Sequence, residues 1–213
     1  NTALAAARRS TEVTGVDYVT ELLERGRERA AAEGLKIELR EGDAESLPFP
    51  DASFDAVLST FGVMFAPDQR TAAREMLRVC RSGGGIGVVS WTPEGFSGKL
   101  PELFGGYLPP PAGIDSPMLW GTEERLRDLL GEGITEMEIT RRDFVFRYRS
   151  VEQYIEALRT QLGPTRSAFE ALDPESRQSL EEDIKGLVSH FNVSGDETMI
   201  VPAEYLEVVA VRQ

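Results

Sequence analysis

Residues 41–65 read EGDAESLPFPDASFDAVLSTFGVMF, and the fold turns on how this stretch is parsed. Gly42-Asp43-Ala44 forms an acidic turn, and Pro48 and Pro50 punctuate the loop that follows. Phe54 to Ser59 then reads as a short buried strand. It closes on Ser59-Thr60 and runs into an apolar segment, Phe61 to Phe65. One acid therefore lies just past a predicted strand end, and a second strand ends on small polar residues. In an open α/β sheet, ligands bind beyond the carboxyl ends of the strands, so both features point at one crevice.

Upstream of this stretch, Leu35 to Arg40 alternates apolar and polar residues with the period of a strand. Thr20 to Glu33 reads as a charged amphipathic helix with Gly34 as a left-handed stop. Glu12 to Asp17 is a short strand ending on an acid, and Asn1 to Arg9 is rich in helix formers. Downstream, Pro67 fits the first turn of a helix that carries Ala72, Ala73, Met76, Leu77 and Cys80 at helical spacing. That helix breaks at the serine-glycine run 82–85, and Ile86 to Trp91 is the next buried strand. Strands alternating with helices across short turns mean βαβ units, hence an α/β, Rossmann-like fold: a mostly parallel sheet with helices on both faces.

After Trp91 the pattern loosens into a Gly-, Pro- and aromatic-rich loop as far as Ser116. Thr122 to Leu130 is helical, with Thr122 as its N-cap. Ile134 to Tyr148 is a long strand, Val151 to Leu162 and Arg166 to Phe191 are helical with a restart near Asp173-Pro174, and Tyr205 to Arg212 is a closing strand. The expected organisation is one domain over 1–213, with a helical insertion over 151–195 between the last two strands that covers the active site.

The chain has 213 residues, 41% hydrophobic and 28% charged, enough for a real core. Its formal net charge of -13, with the basic residues scattered, argues against binding to a phosphate backbone. No apolar run approaches the roughly 20 residues that span a bilayer. The expected partner is a small molecule, with neither nucleic acid nor membrane. A single cysteine, Cys80, excludes an intrachain disulfide framework and fits a reducing cytoplasm. With His190 as the only histidine, no zinc constellation can be assembled, and no metal is expected.

Asp17 ends one strand and Asp43 follows the next. A carboxylate at a strand end accepts hydrogen bonds from the vicinal hydroxyls of a ribose, and a second acid one strand over suits the amino edge of an adenine. On the residues alone the competing reading stays open, that both are turn or helix-capping aspartates.

Three stretches in order, GVDYVTELLERGRERA, EGDAESLPFPDASFDAVLSTFGVMF and REMLRVCRSGGGIGVVSWTPEG, resemble consecutive motifs of class I S-adenosylmethionine-dependent methyltransferases. The likeness covers residues 1 to about 95 and is nearest to the small-molecule enzymes that include the quinone-biosynthesis methyltransferases. The resemblance implies S-adenosylmethionine as cofactor and a seven-stranded sheet with one antiparallel strand near the end. It implies that Asp17 holds the cofactor ribose and that Tyr18 lies against the adenine. Asp43 and the backbone N–H of Ala44 would bind the adenine edge, and Ser59 and Thr60 would sit beside the methionine portion and the transferring methyl. Asp55, at the far end of its strand, reads as structural. The family's glycine-rich loop, D-x-G-x-G-x-G, has no counterpart in these residues. NTALAAARR resembles the helix after that loop, which would put Asn1 just past the last glycine and against the cofactor.

The implied reaction is in-line transfer of a methyl group to a small, partly apolar molecule, in which positioning supplies much of the rate. Phe61, Met64 and Trp91 are the expected substrate pocket, with Phe65, Phe96, Phe104, Tyr107 and Trp120 as further apolar candidates. His190 is the candidate general base by residue type. No motif orients it, and a surface or packing histidine is the competing reading. Tyr107, Tyr148 and Tyr154 are weaker candidates. Two alternatives stand beside the methyltransferase: an NAD-dependent oxidoreductase, since an acid after the second strand also suits NAD ribose, and a non-catalytic binding module on the same fold.

Overall fold

Strand and helix alternate through the first ninety residues except between residues 41 and 54, where two strands are joined by a loop. The structure is a computed structural model and describes residues 1–9, 12–110, 112–160 and 163–213. In chain order the elements are α1 (Thr2–Ala7), β1 (Thr14–Asp17), α2 (Thr20–Ala32), β2 (Glu38–Glu41), β3 (Phe54–Thr60), α3 (Gln69–Val79) and β4 (Cys80–Trp91). They continue with α4 (Phe96–Gly105), α5 (Glu123–Leu130), β5 (Ile134–Tyr148), α6 (Val151–Thr160), α7 (Gly163–Ala171), α8 (Pro174–Phe191) and β6 (Met199–Arg212).

The strands form two sheets, β1-β2 and β3-β4-β6-β5. β1 and β2 are parallel, with Thr14 opposite Glu38 and Asp17 opposite Glu41. β3 and β4 are parallel, with Val57 opposite Ile86 and Thr60 opposite Val89. β6 runs against β5, because Gln213 N–H donates to the Gly133 carbonyl at 2.9 Å while Thr135 Oγ1 donates to the Val211 carbonyl at 3.4 Å. The pairs β1-β2 and β3-β4 are therefore parallel, and the last strand, β6, runs antiparallel to β5.

The described residues fall into two compact units. The first comprises Asn1–Val89, Glu123–Ile139 and Glu207–Gln213. Its core includes Leu4, Leu23, Met76, Ile86, Leu126 and Val208, drawn from helices and strands alike. Within it β1 and β3 each pair on one side only, and α1 packs against both, through Ala3 beside Gly15 and through contacts with β3. The second unit comprises Ser90–Thr122 and Thr140–Leu206. Its core gathers Phe96, Leu158, Leu180, Ile184, Val188 and Met199, mainly from α4, α6, α8 and β6.

Several expectations are corrected. β3 is not a buried strand: Leu58 is 53% exposed, and β3 has a neighbour on one side only. Pro67 lies outside α3, whose N-cap is Asp68, with its carboxylate accepting Thr71 N–H at 2.9 Å. β4 does not begin after the glycine run but contains it. Phe54 is opposite Cys80 and Ala56 opposite Gly85, so residues 81–84 bulge out of register. Such a bulge needs left-handed backbone, which Gly83 supplies at φ 70°.

The loop after Trp91 contains α4, which Gly98 and Pro101 disguise in the sequence. Burial of Phe96 and Phe104 overrides the weak propensity. β6 starts at Met199 rather than Tyr205, with Pro202 hiding an alternation in which Met199, Val201 and Ala203 are buried. The helix expected from Arg166 begins at Gly163 as α7, since a first-turn proline lacks only an N–H that no helical carbonyl needs. The expected end of the preceding helix, Gln161 and Leu162, lies outside the described residues. The helices between β5 and β6 are present as α6, α7 and α8, with Asp173 capping α8 through Glu175 and Ser176 N–H groups at 3.0 Å.

Candidate functional site

The two acids singled out in the sequence stand at the carboxyl ends of neighbouring parallel strands of the first unit. Asp17 is the last residue of β1, directly opposite Glu41, and its carbonyl accepts Gly42 N–H at 3.1 Å. Gly42 is tightly enclosed there, since a Cβ would lie 2.9 Å from Val16 Cγ1. Asp43 follows at once, so strand pairing and this turn bring the acids to one edge of the sheet.

Each carboxylate is held by its own turn. Asp17 Oδ1 accepts Val19 N–H at 2.9 Å, and Asp43 Oδ1 accepts Glu45 N–H at 2.9 Å. The turn-aspartate reading is thus correct for one oxygen of each. Among the described residues Oδ2 of each acid has no hydrogen-bond partner, and neither has the backbone N–H of Ala44. A pre-set acceptor and donor therefore lie side by side at Asp43-Ala44, the pattern that the amino edge of an adenine requires. Tyr18, beside Asp17, is 77% exposed, a large ring with a free face. Asn1 is the exposed N-cap of α1, and its side-chain oxygen accepts from Arg29.

At the end of β3 the chain makes a strained elbow. Thr60 is opposite Val89, and Phe61 N–H donates to the Val89 carbonyl at 2.9 Å, but Phe61 adopts φ 55°. A bulky residue in the left-handed region costs about 1–2 kcal/mol and persists only where its surroundings hold it. Ser59 Oγ does part of that holding by accepting Val63 N–H at 2.8 Å, which fixes the 3-10 turn Val63–Phe65. Ser59 thus braces the elbow, and its own O–H proton is left to donate. The strain gives a test: Phe61→Gly should unfold about 2–4 °C above Phe61→Ala in a thermal melt, the opposite of the usual order, because only glycine relieves the left-handed penalty.

Met64 is 1% exposed and packs the core, because the 3-10 turn rotates it inward, whereas Phe65 faces outward at 53%. Trp91 belongs to the second unit, where its ring meets Phe144, Phe146 and Tyr205 at 6.0–6.3 Å between centroids. Phe96, Phe104 and Trp120 are core residues of that unit. His190 is exposed in the last turn of α8, edge-on to Phe191, and no hydrogen bond orients it among the described residues. Tyr107 donates to Asp183 Oδ2 at 2.6 Å, which pushes its phenol up, and burial does the same to Tyr154. Neither phenol is poised to take a proton near neutral pH. Asp55 pairs with Arg81 at 2.6 Å.

A group missed in the sequence secures the loop after Asp43. Glu75 and Arg78, one turn apart on α3, pair at 2.6 Å. Glu75 Oε2 accepts Leu47 N–H at 2.7 Å, and Arg78 donates to the Leu47 and Phe49 carbonyls and to Asp51. The only signal was the i, i+3 acid–base spacing in REMLR. The Arg78 guanidinium, aided by the Leu47 N–H, holds the Glu75 carboxyl below its ordinary value of 4.5. Because the folded value lies below the unfolded one, this stabilisation is present above the unfolded value and is lost as pH falls through the folded one. The melting temperature of the wild type should exceed that of Glu75→Gln at pH 7, and the gap should close below about pH 4.

The family described as "Methyltransferase domain" matches residues 1–88. An uncharacterized protein of Mycobacterium tuberculosis is 41% identical over 171 residues, covering 79% of this chain and 62% of its own length. The chain thus spans less than two thirds of that relative. A second one from the same organism is 37% identical over 210 residues, 97% of this chain and 75% of its own. A demethylmenaquinone methyltransferase of Deinococcus radiodurans is 38% identical over 104 residues, covering 48% of this chain and 43% of that protein. Among solved structures, the YcgJ protein of Bacillus subtilis superposes with a TM-score of 0.63 at 20% identity, covering 95% of this chain and 82% of that one. That likeness is one of fold.

Proposed function

The chain belongs to the class I S-adenosylmethionine-dependent methyltransferases of the small-molecule type, and from that premise we propose that it transfers the methyl group of S-adenosylmethionine to a small, partly apolar molecule. The observation that carries the reading is the pair of unengaged groups at Asp43-Ala44 beside the unengaged oxygen of Asp17. In this reading Asp17 accepts from the ribose hydroxyls, Tyr18 covers the adenine, and Asp43 and Ala44 take its amino edge. The carboxylates of Asp17, Glu41, Asp43 and Glu45 give the rim a negative potential, which suits a neutral nucleoside carrying a cationic sulfonium. The cofactor supplies an electrophilic methyl. The residues of this chain hold the adenosine, exclude water and set the line of approach.

Ser59, Thr60 and Phe61 form the wall next to the reacting methyl, and Phe61 with the outward Phe65 offers the apolar surface for the acceptor. His190, exposed and without an orienting partner, is assigned no part in proton removal. The one-sided pairing of β1 and β3 supports a further proposal: a parallel strand fills the slot between them, and the loop after it closes the cofactor site opposite Asp43. The unpaired backbone groups along each edge favour such a partner. Calorimetric titration of the full-length protein with S-adenosylhomocysteine and with NAD tests the reading. Saturable binding of the first and none of the second is expected, and the reverse would overturn it.

A further inference from the structure

Acids outnumber bases by 36 to 23 in this chain, and most of its arginines are paired with a carboxylate or bonded to a neighbouring backbone or side-chain oxygen. Among the described residues the guanidiniums of Arg147 and Arg149 have no hydrogen bond and no ion pair with any other side chain. Both line one cavity of about 380 Å³ in the second unit, at the end of β5 and the start of α6. Tyr148, Gln153 and Thr198 contribute its remaining polar lining.

The cavity walls are themselves fixed. Gln153 Oε1 accepts Arg149 N–H at 2.9 Å, which leaves the Gln153 amide NH2 to donate. Thr198 Oγ1 is tied to Asp196 at 2.6 Å and Ser194 at 2.8 Å. The nearby acid, Asp196, is thereby occupied by the hydroxyls of Ser194 and Thr198 and by Thr198 N–H. Glu152 lies in the first turn of α6, where the Ser150 hydroxyl and, more weakly, the Lys185 charge hold its carboxyl below the ordinary value. Among the described residues the two arginines thus line the cavity with no ion pair to a carboxylate, and Asp196 is held in its own turn through Oδ1.

We propose that this cavity binds a phosphate group, held between the guanidiniums of Arg147 and Arg149. Each guanidinium presents a planar fork of N–H donors that matches phosphate oxygens in pairs. Two forks with the Gln153 amide supply more donors than the two oxygens of a carboxylate can accept, whereas a phosphate dianion uses them. Arg147 lies in the last pleat of β5 and Arg149 in the bend just after it, and both line the same cavity, within reach of one anion.

The test is titration of the full-length protein with inorganic phosphate at constant ionic strength, with acetate as control, followed by calorimetry and by the NMR shifts of residues 147–153. Sedimentation with phosphatidylglycerol vesicles, against phosphatidylcholine, separates a lipid headgroup from a free phosphate as the source. Saturable binding of phosphate or of the anionic vesicles is expected, at least tenfold weaker in both Arg147→Gln and Arg149→Gln, with acetate failing to compete. Both side chains are exposed, so these variants should fold, as circular dichroism will verify. Absence of saturation by either probe below about 10 mM, a value that marks only non-specific attraction, would overturn the proposal. Binding that both substitutions leave unchanged, or that acetate matches, would overturn it equally.

Discussion

Asp43→Ala and Asp17→Ala should each weaken S-adenosylhomocysteine binding about 5- to 150-fold, which corresponds to about 1–3 kcal/mol for hydrogen bonds to a charged acceptor. The two effects should differ in kind. Asp17 Oδ1 is tied to Val19 N–H at the entry to α2, so its loss frees an N–H at the start of that helix and also costs some stability. Asp43 is exposed and holds only the local turn through Glu45 N–H, so its loss should leave the melting temperature nearly unchanged. Asp43→Asn is the sharper probe. Its side-chain oxygen can still cap Glu45 N–H, but the group turned to the ligand becomes an amide without charge. Loss of affinity in Asp43→Asn with the fold intact would separate ligand binding from turn formation. Full affinity in both alanine variants would remove the assigned adenosine site.

The placement of these acids was legible because it depends on local features. Period-two alternation up to Arg40, the Gly42 turn and the βαβ rule suffice to put Asp17 and Asp43 at adjacent strand ends. The elbow at Phe61 was not legible. Nothing in STFGV marks the phenylalanine rather than Gly62 as the left-handed residue, since its conformation is imposed by the bond to Val89 and the brace from Ser59. The staple by Glu75 and Arg78 was hidden for another reason: it joins α3 to a loop some thirty residues earlier, and side-chain reach over that separation leaves no periodic trace. The aromatics after Trp91 were read as pocket lining because composition alone does not distinguish an aromatic that faces a ligand from one that faces the core. α4, concealed by Gly98 and Pro101, turns Phe96 and Phe104 inward.

That inward turn carries the largest expected effect on stability. Phe96 is fully buried, with its ring 6.0 Å from Phe146, 5.7 Å from Tyr154 and 5.8 Å from Phe191, centroid to centroid. These partners come from β5, α6 and α8, so one side chain at the start of α4 ties together the elements of the second unit. Phe96→Ala removes a buried aromatic side chain and leaves a cavity among partners that belong to three different elements and cannot all collapse onto it. The expected cost is about 3–5 kcal/mol. For a chain of this size that lowers the melting temperature by about 6–20 °C. Phe96→Leu, which refills much of the volume, should recover more than half of the loss. The outcome bears on function because two readings of Phe96 differ in what they predict. A pocket-lining ring would show its effect in substrate affinity with little change in melting. A core ring shows the reverse, with S-adenosylhomocysteine affinity of the folded Phe96→Leu protein unchanged. A melting temperature within about 2 °C of wild type for Phe96→Ala would place the ring at a surface after all.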